Sequence, residues 1–157
     1  ICYDGKALPF ADDVFDAATS ISVLEHTDNP VEYLREVLRV LRPGGYLYIA
    51  FPNRLWPKET HTGLWFITYL PRPLSEKIVK FFRKNPFQDS KLNFYAYWDI
   101  MRMMKKLEHN KNKFKIIEEK GFSENSVKNF IKNVLQALGL SYKMFLPHIQ
   151  IILKKQN

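Results

Sequence analysis

Cysteine is nearly absent: Cys2 is the only one among 157 residues. No intramolecular disulfide can form, and no Cys/His cluster has the spacing of a metal site, so a reducing, cytoplasmic setting and no bound metal are the expectations. Glycine is scarce as well. The six glycines, at 5, 44, 45, 63, 121 and 139, never fall in a Gly-x-Gly pattern, which excludes a glycine loop cradling phosphate within these residues. Long apolar runs are missing: the longest, Leu64 to Leu70, is far short of the ~20 residues that span a bilayer, and the first residues lack a basic-then-apolar leader pattern. The chain is expected to be soluble or to rest on a membrane surface. Internal repeats are also absent.

What is present is enough apolar sequence, 46%, for one real core, and too short a chain for two ordinary domains. Charge is unevenly placed. Residues 1 to 60 hold 6 Lys/Arg against 9 Asp/Glu, and residues 61 to 157 hold 18 against 7. The basic part suits an anionic partner such as a phosphate-bearing substrate, anionic lipid or nucleic acid; a lysine-rich solvated surface is the plain alternative.

Phe15 to Leu24 shows no helical stripe and carries small and β-branched residues, as a central parallel strand covered on both faces does. Asn29 and Pro30 then open a helix, with Val31, Leu34, Val37, Leu38 and Leu41 on one side and Glu32, Arg35, Glu36, Arg39 and Arg42 mainly toward water. Pro43-Gly44-Gly45 should stop it, and Tyr46 to Phe51 follows as a second strand. Strand, helix and strand with short joints predict a parallel βαβ unit, so Leu24-Glu25-His26-Thr27 and Pro52-Asn53-Arg54 lie on the rim where ligands of open parallel sheets bind. Further on, Leu55 to Arg83 alternates aromatics, prolines and basic residues and reads as an insertion or lid. Tyr97 to Leu107 and Glu124 to Leu138 read as helices, the latter with Ser123 as cap and Gly139 closing it. Phe114 to Glu118 and His148 to Lys154 read as strands.

The segment "YDGKALPFADDVFDAATSISVLEHTDNPVEYLREVLRVLRPGGYLYIAFPN", residues 3 to 53, resembles the class I S-adenosylmethionine-dependent methyltransferases, especially the "methyltransferase type 11"-like group that methylates small molecules. The resemblance lies in an ordered series: an acidic residue, Leu-Pro-Phe, Phe-Asp opening a strand, Leu-Glu-His closing it, and a helix ending in Leu-Arg-Pro-Gly-Gly before the next strand. It implies an α/β, Rossmann-like sheet flanked by helices, with residues 54 to 113 as a helical and aromatic lid within one partial domain spanning 1 to 157. The family's glycine-rich cofactor loop and the acidic residue for the ribose have no counterpart. Both would belong upstream of Ile1, so the chain reads as a piece lacking the first strands, and Phe15 to Leu24 is expected to have one open edge that invites a homodimer.

By the same resemblance the cofactor is S-adenosyl-L-methionine. Asp4, with Gly5 beside it, would accept from the adenine amino group, unless it is only a turn aspartate, and Ala7 and Leu8 would flank the adenine. Ser20, Ser22 and Glu25 would run beside the cofactor, although a buried strand serine usually bonds to backbone. Asp16 is expected to hold the strand start through backbone bonds. His26, beside Glu25, suits proton removal from an oxygen or nitrogen nucleophile; alternatively His26 packs on the cofactor and Glu25 fixes the next loop. Glu59 and His61 are the next candidates for a base, against a plain surface loop. The expected partner is a small-molecule acceptor, lipid-linked or phosphate-bearing, with peripheral membrane contact through the lid. Nucleic acid is disfavoured because the motif of base-methylating enzymes is absent after Leu24. The contrasting reading is a non-catalytic binding protein on the same fold.

Overall fold

Asn29 sets the first helix. In the computed structural model, which describes residues 7–60, 62–82, 93–109, 113–117, 133–134, 137 and 146–156, its Oδ1 accepts from the Glu32 N–H at 3.2 Å. Pro30 sits in the first turn, where its missing N–H removes no bond, and α1 runs Pro30–Val40. Before it lies β1, Phe15–Ile21, and after it β2, Leu41–Pro52. Two further helices, α2 (Arg72–Phe81) and α3 (Tyr97–His109), precede β3 (Phe114–Ile117) and β4 (His148–Lys155).

The strands form one sheet in the order β1-β2-β4-β3. β1 and β2 are parallel, and β4 is antiparallel to both its neighbours. Alternate residues of the central strands, Leu47, Ile49 and Phe51 on β2 and Ile149, Ile151 and Leu153 on β4, face a core completed by Tyr33, Leu34, Val37 and Leu38 of α1 and Ile100, Met104 and Leu107 of α3. Truncating a side chain as buried as Leu34 to alanine costs about 2–5 kcal/mol.

Several expectations need correction. The first strand ends at Ile21 rather than Leu24; Ser22 turns into the left-handed region at φ 51°, and Leu24–His26 form a 3-10 turn. Only Ser20 of β1 is buried, because among the described residues β1 pairs with β2 alone and is a sheet edge. The helix ends at Val40, before Pro43-Gly44-Gly45. Val14 N–H donates to the Val40 carbonyl at 2.9 Å and Phe15 pairs with Leu41, so strand pairing claims the chain first. Lys155 Nζ then binds the Leu41 carbonyl at 2.7 Å and Asp13 Oδ1 at 2.7 Å, placing a cation at the helix end. Pro43-Gly44-Gly45 instead forms a bulge inside β2, where the register jumps from Phe15 opposite Leu41 to Ala17 opposite Tyr46. Asp16 pairs with Arg42 at 2.7 Å rather than with backbone. Glu118 and most of the helix expected over 124–138, with Ser123 and Gly139, lie outside the described residues.

Glu36 and Arg39 do more than face water. Arg39 binds Glu36 Oε2 at 2.9 Å, Asp12 Oδ1 at 2.6 Å and the carbonyls of Phe10 and Leu8, while Glu36 Oε2 accepts from the Leu8 N–H at 3.1 Å. The pair pins the Leu-Pro-Phe loop to α1, and the bond from Arg39 is the main reason the Glu36 carboxyl lies below its ordinary range.

Candidate functional site

The parallel pair ends in two turns lying side by side. Ser22 N–H donates to the Ala50 carbonyl at 2.9 Å, extending the pairing by one bond before the Leu24–His26 turn begins. Thr27 Oγ1 closes that turn on the Leu24 carbonyl at 2.7 Å. On the neighbouring strand, Asn53 is buried and fixed at three points: Nδ2 to the Leu146 carbonyl at 2.7 Å, N–H to Pro147, and Oδ1 from the Leu55 N–H at 3.0 Å.

Residues 93–96 lie across both turns. Asn93 N–H donates to the Glu25 carbonyl at 2.8 Å and its Nδ2 to the Thr27 carbonyl at 3.0 Å. Arg54 N–H donates to the Tyr95 carbonyl at 3.0 Å, and the Tyr95 ring stands edge-on to Phe51. Glu25 is 3% exposed, and among the described residues neither carboxylate oxygen meets a hydrogen-bond donor. A buried carboxylate without a donor is costly, and a donor brought to it lowers that cost. Burial raises the Tyr95 phenol above its ordinary range, and the negative charges of Asp99 and Glu25 raise it further.

A cleft of about 290 Å³ adjoins the far side of Asn93. Arg54, Arg72, Thr68 and Ser75 give it a polar part, and Ile67, Leu70, Pro71 and Phe94 give it apolar walls. Thr68 and Ser75 both donate to backbone carbonyls, at 3.0 and 2.8 Å, so their oxygens keep acceptor capacity, and Arg54 and Arg72 bring positive charge to the lining, Arg72 while paired with Glu76 at 3.1 Å.

The candidate residues divide among these places. Ser20, Ser22, Glu25 and His26 follow one another along the end of β1. Ser20 Oγ accepts from Tyr33 OH at 2.9 Å, a tether to α1 rather than a backbone bond. Ser22 and His26 are exposed at the rim. Among the described residues no bond from the Glu25 carboxylate fixes the next loop, and its carbonyl accepts from the distant Asn93 N–H. Leu8 is held on α1 near the start of β1, and Ala7 beside it is exposed. Glu59 is buried within its own turn, with Oε2 accepting from Thr62 N–H at 2.5 Å and Thr62 Oγ1 at 2.7 Å. Asp4, Gly5 and His61 lie outside the described residues. Asn93 and Tyr95 are additions that sequence reading missed, since no local pattern tells that residues 93–96 return to the rim.

Residues 1–49 match the family model described as a methyltransferase domain. An uncharacterized methyltransferase of Mycobacterium leprae is 42% identical over 57 residues, covering 36% of this chain and 21% of that protein. A chloroplastic 2-methyl-6-phytyl-1,4-hydroquinone methyltransferase of Oryza sativa subsp. japonica is 31% identical over 91 residues, covering 57% of this chain and 25% of that protein. The matches thus span about a fifth to a quarter of the length of these relatives. Among solved structures, an S-adenosylmethionine-dependent methyltransferase from Mesorhizobium loti superposes with a TM-score of 0.56 at 13% identity, covering 98% of this chain and 67% of that one. The fold is the Rossmann-like fold of class I methyltransferases.

Proposed function

We propose that the chain serves S-adenosylmethionine-dependent methyl transfer to a small-molecule acceptor. The observation that supports this best is Glu25, a buried carboxylate lacking a donor at the carboxyl end of a parallel strand. S-adenosylmethionine carries donors on its amino acid, ribose and adenine parts, so the orphaned carboxylate fits that group. Asp4, Gly5, Ala7, Leu8, Ser20 and Ser22 are proposed to share in holding it. When bound, the cofactor supplies a methyl group already activated on sulfur.

The chain's own task is then alignment, exclusion of water and removal of one proton when the acceptor is a hydroxyl or amine. Residues 93–96 close the rim from one side, and His26 stands exposed beside Glu25 as the proposed proton acceptor. Glu59 and His61 are the reserve candidates, Glu59 the weaker because Thr62 already occupies its carboxylate. The acceptor is proposed to have an apolar body and a phosphate or other anionic group, matching the apolar walls and two guanidiniums of the cleft. The phytyl-hydroquinone named for the rice relative supports an apolar, lipid-like body.

Calorimetric titration of the full chain with S-adenosylhomocysteine tests the reading. Saturable one-to-one binding is expected, weakened about 10- to 100-fold by Glu25→Gln, in keeping with the loss of one bond to a charged group. Absence of saturable binding would favour a non-catalytic binding protein on the same fold.

A further inference from the structure

The outer face of α2 is built for an interface. Ser75 and Val79 point inward and are buried, and at 100° per residue the apolar arc that they begin continues through Ile78, Leu74 and Phe81 toward solvent. Phe82, just past the helix end, extends it. The protein covers only part of this arc: Phe81 is 81% exposed and Phe82 56%, their rings packed edge-to-face on each other at 5.4 Å. Lys77 borders the arc next to Phe81 and Lys80 stands farther round the helix, and both are exposed.

Among the described residues neither lysine forms an ion pair: Glu76 pairs with Arg72 at 3.1 Å, and Glu59 is buried in its own turn. On the preceding loop, Trp65, Phe66 and Tyr69 form a second exposed aromatic row with ring centroids about 6 Å apart, and Lys58 Nζ stands over the Trp65 ring. Among the described residues no helix is long and apolar enough to cross a membrane.

We infer that α2 docks this protein on an anionic lipid surface, with Leu74, Ile78, Phe81 and Phe82 entering the headgroup boundary while Lys77 and Lys80 reach lipid phosphates. An interfacial helix has this form, an apolar face bordered by basic stems that snorkel to the charged layer. A second copy is the poorer occupant. Two such faces related by a two-fold axis would bring Lys77 and Lys80 toward their own counterparts, and the one carboxylate on α2, Glu76, already pairs with Arg72.

Flotation of the full chain with vesicles tests this. Binding is expected to phosphatidylcholine vesicles containing phosphatidylglycerol, weakened by salt, and not to phosphatidylcholine alone. The double change Phe81→Ser, Phe82→Ser should abolish it, and Lys77→Gln with Lys80→Gln should weaken it about thirtyfold, in keeping with two basic residues acting at the surface. Free inorganic phosphate at the lipid phosphate concentration should not displace the protein. Failure to float with anionic vesicles overturns the inference, as does flotation unchanged by both double variants. A dimer in sedimentation that the serine variant dissolves, without vesicle binding, would assign the face to a second copy. Binding of S-adenosylhomocysteine is read separately, so either result stands without the other.

Discussion

Replacing Glu25 by methionine should make the ligand-free chain more stable while weakening its hold on the ligand. The carboxylate is nearly sealed from water and among the described residues neither oxygen has a donor, a condition that costs about 1–3 kcal/mol for a polar group and more for a charge. Methionine is unbranched, of similar length and able to fill irregular space, so repacking should cost less than about 1.5 kcal/mol. A net gain of about 1–2 kcal/mol is expected, and for a chain of this size that raises the melting temperature by about 2–8 °C. Glu25→Gln, which keeps polar atoms in the same place, should fall between. Urea unfolding followed by tryptophan fluorescence, with thermal melts beside it, measures the effect. A loss of about 1 kcal/mol or more in the methionine variant would refute the reasoning, since it would mean that the folded chain already supplies the carboxylate with a partner.

Arg39→Met should free the Leu8–Asp12 loop from α1 and lower stability by about 1–3 kcal/mol, because a half-buried carboxylate and two carbonyls lose their donor together; limited proteolysis within that loop reports it. The contribution of Glu36, whose carboxyl is held low, should be complete above pH ~4.5 and fade as the pH falls through its folded pKa, which an acid series of urea midpoints would show. Tyr33 and Tyr95 are both raised, chiefly by burial, so they keep their protons longer when folded than when unfolded. Stability should therefore fall as the pH rises above ~10, with phenolate absorbance lagging that of free tyrosine. At Gly45 an added Cβ would meet the Arg42 carbonyl at 2.9 Å and the Asp16 carbonyl at 3.0 Å, whereas at Gly44, with φ 82°, it would meet nothing. Gly45→Ala should thus destabilise through backbone displacement by about 1–3 kcal/mol, and Gly44→Ala by about 1–2 kcal/mol through conformation alone. The open edge of β1, with Ile21 exposed, should drive concentration-dependent self-association in sedimentation, suppressed by Ile21→Lys.

The sequence made the βαβ unit legible because its signals are local. Asn29 and Pro30 mark the start of α1, and the apolar spacing of Leu34, Val37 and Leu38 marks the face that is buried. Where the helix ends was not legible. Pro43-Gly44-Gly45 is a strong local stop, yet Val14 pairing with Val40 and the ammonium of Lys155 act two residues earlier, and both arrive from distant parts of the chain. The site divides in the same way. Glu25 and His26 could be placed on the rim by their position after a strand, but the bond from Asn93 to the Glu25 carbonyl and the shared cleft of Arg54 and Arg72 join residues far apart in sequence. Glu59, attractive as a free carboxylate after β2, folds back on Thr62 three residues away, a choice between turn and site that periodicity does not register.

The pairing of β2 with β4 also governs when this protein can fold. Tyr46 lies opposite Lys154 and Pro52 opposite His148. The central strand must therefore wait for a partner that leaves the ribosome roughly a hundred residues later, and the entropy of closing so long a loop slows folding. During that interval one edge of β2 is bare, with Leu47, Ile49 and Phe51 in a row. Nascent chains stalled before Ile149 should bind chaperones strongly, and emergence of β4 should be the step that ends that dependence.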